Sequence, residues 1–315
     1  MSDEENKKTN ETSEQEDTAS VVEESVNGEQ EIFDDEDKLQ QKFTLVDGKK
    51  EGEALVYDEE GWVAKKAHYS KGVLHGESTQ FSAENKISEK VNYENGILDG
   101  KYEKFDDEGK ILERGAFREG KLDGESISYE EGVVSQISHY KEGQLNGEIL
   151  LFNDEEISQK INFVRGKLEG PAFSYSDGQL KAKWTHKNGK KHGEYIVYGE
   201  SGKPISKSGF KDGKAEGESL VLDEEGKIIQ KSFYKNGKQE GEFLEYYSDG
   251  TLRTKAFYKN NKLEGELIRY QPNGKVAEKS LFLHGERKGP IIKFDEKGKE
   301  KKSSEEDSFL DKLFN

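Results

Sequence analysis

Tyr234-Lys-Asn-Gly-Lys-Gln-Glu-Gly241-Glu-Phe-Leu-Glu-Tyr246 is the stretch that decides the fold. Its skeleton, Asn-Gly-Lys-x-x-Gly-Glu followed by an aromatic, returns every 23 or 24 residues between Gly48 and Gly298. A fixed period of this length marks a repeat array, in which each unit buries its apolar surface only against its neighbours. The second glycine of the motif falls at Gly52, Gly76, Gly100, Gly124, Gly147, Gly170, Gly193, Gly217, Gly241, Gly265 and Gly289. Four residues before it stands another glycine, or Asn261, the side chain that best tolerates the left-handed backbone region after glycine. A third turn column runs from Gly61 to Gly298, with Asn85 and Glu155 as its non-glycine members. Thirty of the 34 glycines lie in these three columns, so the glycine content is turn chemistry.

Between the columns the apolar residues alternate. Leu55 and Tyr57 share one parity and Ala54 and Val56 the other, which reads as half-buried strand. Past the turn, Val63, Ala67 and Tyr69 share a side and Trp62, Ala64, Lys66 and His68 the opposite one. Each unit is therefore a β-hairpin. The 24-residue units carry turns such as Asp58-Glu-Glu-Gly61, which fit a type I turn closed by a glycine bulge. The three 23-residue steps lose one residue there, where loss leaves the strand registers intact; two of them leave Glu131-Gly132 and Ser176-Asp177-Gly178. The fold expected is all-β: an elongated single-layer antiparallel meander, solenoid-like, of about eleven hairpins. About 22 strands at ~4.8 Å spacing give roughly 100 Å of sheet.

Three segments follow. Residues 1–42 hold fifteen acidic and four basic side chains without a repeat, and read as a disordered acidic tail. Residues 43–300 are the array. Residues 301–315 are polar, then amphipathic; Phe309, Leu310, Leu313 and Phe314 would share one face of a short terminal helix covering the last strand edge. The chain has no cysteine, which excludes a disulfide framework and thiolate metal sites. Its N-terminus shows no export pattern and no apolar run spans a membrane, so a cytoplasmic protein is expected.

The motif resembles the MORN repeat, and more closely its bacterial variant found in YwqK-type antitoxins. The MORN pattern stands nearly complete at His186-Lys-Asn-Gly-Lys-Lys-His192-Gly193 and at Tyr69-Ser-Lys-Gly-Val-Leu-His75-Gly76. The usual MORN tryptophan is Tyr or Phe here, which favours the variant. The resemblance implies a groove lined by aromatics and a binding function: a protein scaffold, in some members proposed to contact phospholipid, or an antitoxin-like neutraliser of a protein partner.

Two columns are candidate sites. Five residues after the anchor glycine come Tyr57, Phe81, Phe105, Tyr129, Phe152, Tyr175, Tyr198, Leu222, Tyr246, Tyr270 and Phe294, whose aromatic members form the candidate partner groove. Lys66, Lys90, Arg114, Lys160, Lys183, Lys207, Lys231, Lys255 and Lys279 form a cationic ladder, broken by Ile137, for an acidic partner or anionic lipid. Parity counted through the turn puts this ladder opposite the aromatic columns. The six histidines show no metal-type spacing and no nucleophile or phosphate-loop motif occurs, so no enzyme, cofactor, metal or small-molecule substrate is expected. The repeat region is mildly acidic, which argues against nucleic acid.

Overall fold

The computed structural model describes residues 26–82 and 85–301. They form one open antiparallel sheet of 28 strand segments in a meander, with no helix among the described residues. Each strand pairs with the one before and the one after it, so contacts stay local in sequence. Five of the segments are two residues long, as at Lys121–Leu122 and Gln144–Leu145. Each is the start of a longer strand, interrupted where the anchor glycine bulges.

The array begins earlier than the repeat motif indicates. Gly28–Phe33 and Leu39–Val46 form a complete hairpin with Gly28 as its anchor (φ 98°) and Asp37 (φ 61°) in the turn-glycine column. Residues 28–42 therefore belong to the sheet and not to a disordered tail. Aspartate hides the unit: a short carboxylate side chain takes the left-handed turn position that glycine holds elsewhere. The acidic residues before 26 and the amphipathic residues after 301 lie outside the described residues, so the disorder and terminal-helix expectations are not addressed there. The last strand, Glu286–Lys293, is followed by one further bridge, Phe294 to Glu300.

Two kinds of turn alternate along the meander. Every connection at the Asn-Gly position is a two-residue loop with both residues at positive φ, as at Asn188 (51°) and Gly189 (79°). This is the type I′ signature that matches strand twist. At the opposite edge the 24-residue units carry the expected longer turn. In it, Asp58 N–H donates to Trp62 O, and Gly61 N–H to Asp58 O. The Asp58 carboxylate also accepts the N–H groups of Glu60 (3.1 Å) and Trp62 (2.8 Å). The same arrangement recurs at Asp34, Asp106, Asp223 and Asp295. The three shortened units have two-residue loops on this edge too, at Glu131-Gly132, Asp154-Glu155 and Asp177-Gly178. At the second of these, Glu155 itself takes φ 67°.

A residue-by-residue register fixes the two faces. Ala54 faces Ala67, Ala67 faces Ser78, Ser78 faces Val91 and Val91 faces Tyr102. Directly paired residues project to the same side of a sheet. This line of small and medium side chains is the most buried part of the molecule: Ala67 is 3% exposed, Ser78 1% and Ala172 0%. The anchor glycines lie on the same side, most of them opposite a Tyr or Phe: Gly52 faces Tyr69, Gly100 faces Phe117 and Gly193 faces Phe210, while Gly28 faces Leu45 and Gly170 faces His186. Rings lean across the line, with Tyr102 and Phe117 centroids 4.9 Å apart and those of Phe243 and Tyr258 5.9 Å apart. We call this side the core face.

Each anchor glycine also opens a bulge towards the preceding strand. Tyr69 pairs with Leu74 and Ala67 with Ser78, so three residues, 75–77, oppose His68 alone. Such bulges free backbone groups and add curvature. Side chains from the preceding strand collect the freed carbonyls: His139 Nδ1 lies 2.8 Å from Glu148 O, and the Asn92 and Asn162 amides donate to Lys101 O and Pro171 O.

A second clamp joins consecutive units. The residue before the anchor sends its carboxylate to the first turn N–H of the next unit: Glu51 to Lys71, Glu169 to Asn188, Glu216 to Asn236 and Glu264 to His284, each at 2.7 Å. Charge-assisted bonds of this type rank among the stronger side-chain contacts.

Candidate binding surface

The structure brings the two candidate columns onto one face, against the sequence expectation. Leu55 pairs directly with Lys66, and Leu55 and Tyr57 share parity along their strand. Tyr57, Leu55 and Lys66 therefore project together, away from Ala54, Ala67 and Tyr69. Arg114 shows it directly: it pairs with Ile127, and its guanidinium carbon lies 5.7 Å from the Tyr129 ring centre. The cationic ladder is opposite only the Tyr69–Phe282 aromatic column. Counting parity through the turn fails because each hairpin shifts register there, as between Val56 and Tyr57. One extra residue in the second strand reverses its alternation relative to the first.

All ten aromatic members of the Tyr57 column are half-buried. Eight of them sit beside a Val, Ile or Leu partner at the hairpin end, as Phe105 faces Ile111, Tyr175 faces Leu180 and Tyr246 faces Leu252, while Tyr198 faces Pro204 and Phe294 bridges to Glu300. Next to them runs an aliphatic line through Leu55, Ile127, Leu150, Ile196 and Leu244, each directly opposite a member of the ladder column. Lysine stems cover aliphatic surface while keeping their ammonium groups in water. We call this side the ladder face.

The ladder is not a free row of cations. The residue after the anchor glycine is usually glutamate, and it reaches the lysine diagonally opposite. Lys66 meets Glu53 at 2.5 Å, Lys255 meets Glu242 at 2.7 Å and Lys279 meets Glu266 at 3.9 Å. Lys231 pairs with Glu218, and in the first hairpin Lys42 pairs with Glu29 and Glu31. The hydrogen bond that the Lys231 ammonium donates to Glu218 holds it above its ordinary pKa, and the one from Lys255 to Glu242 does the same. Exposed pairs of this kind contribute little stability, about 0–1 kcal/mol each. Their effect is to neutralise four of the nine ladder cations, those at Lys66, Lys231, Lys255 and Lys279.

The core face carries two features that periodicity did not flag. Tyr102 extends over Gly115; its hydroxyl donates to Glu113 Oε1 at 2.7 Å and lies 3.2 Å from Ser126 Oγ. A Cβ at Gly115 would sit 2.8 Å from the Tyr102 ring, so the missing side chain makes room for the phenol. Burial, with the neighbouring Glu113 carboxylate, pushes the phenol pKa up to about 12. The second is a cation held among rings. Lys191 Nζ lies 4.6 Å from the Tyr195 ring centre and 5.7 Å from those of Trp184 and Phe210. His186, beside this cluster, is lowered in pKa by burial and by Lys191. Among the described residues no three His, Asp or Glu side chains converge to hold a metal, and no helix is long and apolar enough to cross a membrane.

Six of these hairpin repeats match the MORN repeat variant. The matched residues are 50–71, 74–95, 191–212, 215–236, 239–260 and 263–284. Each MORN-variant match runs from the strand preceding an anchor glycine to the next two-residue turn, so the MORN-variant unit and the structural hairpin coincide. The units between 96 and 190 fall outside these matches, although the sheet continues through them without a break. No curated protein matches the chain. Among solved structures, similarity is found to a TcdB2–TccC3 assembly without its hypervariable C-terminal region (12% identity, TM-score 0.17) and to TcdB2–TccC3–Cdc42 (11%, TM-score 0.14). The alignments cover 80% and 85% of this chain, but the chain spans only 15% and 17% of those proteins.

Proposed function

We propose that the protein is a non-enzymatic binding scaffold, and that a protein partner lies along the ladder face against the Tyr57–Phe294 aromatic column. The observation that carries this reading is the repetition of a half-buried aromatic, with its aliphatic partner, one hairpin apart along one side of a single sheet. Aromatic side chains of this kind supply area and, in tyrosine, a hydroxyl for orientation. The flanking Glu–Lys pairs give the apolar row a polar rim, the usual anatomy of a protein interface. They also weaken the alternative in which the lysine ladder adsorbs to anionic phospholipid, because Lys66, Lys231, Lys255 and Lys279 are met by glutamates within the face. Neutralising a protein partner, as an antitoxin would, is a special case of the same reading.

Site-specific photocrosslinking in the native host tests it. A crosslinking residue at Tyr198, Tyr246 or Tyr270 is expected to trap one common partner, whereas the same probe at Tyr258 on the core face is not. Equal trapping from both faces, or trapping of lipid alone, rejects the proposal.

A further inference from the structure

Along the edge made by the two-residue turns, the residues flanking each turn face one another directly. In the first part of the array these pairs are mixed: Val46 with Lys49, Ser70 with Val73, Glu94 with Ile97, Lys141 with Gln144 and Val164 with Lys167. Arg118 with Lys121 is a single like-charged exception. Then four consecutive turns carry lysine on both sides: Lys187 with Lys190, Lys211 with Lys214, Lys235 with Lys238 and Lys259 with Lys262. All eight are exposed. Like charges directly opposite in a ladder are destabilising. Four in succession, one hairpin or about 10 Å apart, make a cationic row about 30 Å long that folding alone does not favour.

Among the described residues none of these eight lysines forms an ion pair like those of Lys66, Lys231, Lys255 and Lys279 on the ladder face. Glu216, Glu240 and Glu264 each accept the turn N–H of the following unit. Asp212, within one of the turns, is engaged with His192 at 3.6 Å. A Cβ at Gly213 would lie 3.8 Å from Lys190 Cβ and one at Gly237 3.7 Å from Lys214 Cβ, so each lysine stem starts beside the glycine of the next turn.

We propose that this edge docks an extended acidic peptide segment, and that the occupant is the acidic stretch between Asp3 and Glu24 of a second copy of the chain. That stretch carries nine acidic and two basic side chains. It joins the sheet at Val26, just before Gly28, at the opposite end of the array from the lysine row. From there to Lys187 the edge passes about seven hairpins, or roughly 67 Å, and the row itself adds about 30 Å. Asp3 reaches at most about 83 Å from Val26 when fully extended, and the carboxylates nearer Val26 reach much less. Within one copy only Asp3, Glu4 and Glu5 reach even the first lysine pair, and only at full extension, so the stretch does not span its own row, whereas a second copy meets no such limit. This site is separate from the aromatic column and does not rest on the function proposed for it.

The test uses the full-length chain and a fluorescently labelled synthetic peptide of residues 1–25. Anisotropy at 50 mM salt is expected to show binding that weakens steeply as salt rises. The variant K211E/K214E/K235E/K238E is expected to bind at least tenfold more weakly, and K49E/K121E/K167E, on the same edge outside the row, to bind as the parent does. Sedimentation velocity of the full-length chain is expected to show salt-sensitive, concentration-dependent association that the quadruple variant loses. If charge reversal impairs folding, judged by circular dichroism, the corresponding Lys→Gln variant replaces it with the same expectation. Equal peptide binding by parent and row variant overturns the proposal. So does a monomer at every concentration and salt, or binding of anionic vesicles or a polynucleotide by the row without binding of the peptide.

Discussion

The flanking blocks of the array and the block between them are built on the same meander but close their hairpins differently. In the flanks, which contain every MORN-variant match, each unit alternates a two-residue turn with a longer turn whose polar side chain, as at Asp58 or Asp249, accepts backbone N–H groups. From Gly124 to Lys187 both edges close with two residues. The pairing of strands, the buried line and the clamps run through both. Register is thus the quantity that is preserved, and the turn is where sequence can drift. A residue can be lost in a turn without moving any side chain to the other face, but not in a strand.

The most disruptive way to break this comparison is to move the deletion. Removing Ser158 from the strand Glu156–Val164 should reverse the alternation of the residues after it and cost several kcal/mol, seen as loss of cooperative melting by circular dichroism. Removing Glu60 from the longer turn after Tyr57 should leave the melt nearly unchanged, because the middle block already folds with the shorter loop.

Next in size is a single methyl group. A Cβ at Gly209 would lie 2.3 Å from the Glu216 carbonyl oxygen, so Gly209→Ala must push two strands apart. An overpacking loss of about 2–3 kcal/mol in chemical denaturation is expected. Other units place His68, Asn92 or Thr185 in the same column, so a small effect would show that this pair of strands widens as readily as theirs.

Alkaline titration separates the units by chemistry. The Tyr102 pKa is raised to about 12 in the folded chain, against an ordinary 10.0. Its contribution to stability is therefore complete below pH 10 and is lost as pH rises from 10 through 12. Difference absorbance at 295 nm should show one late-titrating tyrosine that Tyr102→Phe removes. An unchanged profile would mean that the hydroxyl is not held by Glu113 and Ser126.

The smallest changes should be stabilising. Glu155→Gly relieves a left-handed non-glycine residue and completes an Asp-Gly turn, worth about 1 kcal/mol. Ser78→Ala removes a buried hydroxyl oxygen that has no hydrogen-bond partner and matches Ala54 and Ala67 in the same line, with a gain of up to about 1 kcal/mol. Both are read as a rise in Tm; a fall at either position would place hidden partners there.

The hairpins, their turn types and the tolerance for a missing turn residue were legible because glycine and asparagine mark positive φ and the columns repeat. The hairpin at Gly28–Val46 was not, because Asp37 does the work of a turn glycine and the first strand, with Glu29 and Glu31, reads as part of an acidic tail. Face assignment failed for a physical reason: a bulge at each hairpin end is invisible in single-strand alternation, so Lys66 and Tyr57 seemed to part when they project together. The facing lysines at Lys187–Lys262 were also visible as residues, but their opposition depends on which turns close with two residues.

The clamp from Glu51 to the Lys71 backbone, and its copies, has a direction: each unit reaches forward into its successor and is held by its predecessor. A stretch one period long can therefore be copied or excised with a matching partner at both new junctions. Total length becomes the property most easily adjusted over generations, much as a ruler is lengthened by adding identical divisions, while the spacing of whatever is arrayed along it stays constant.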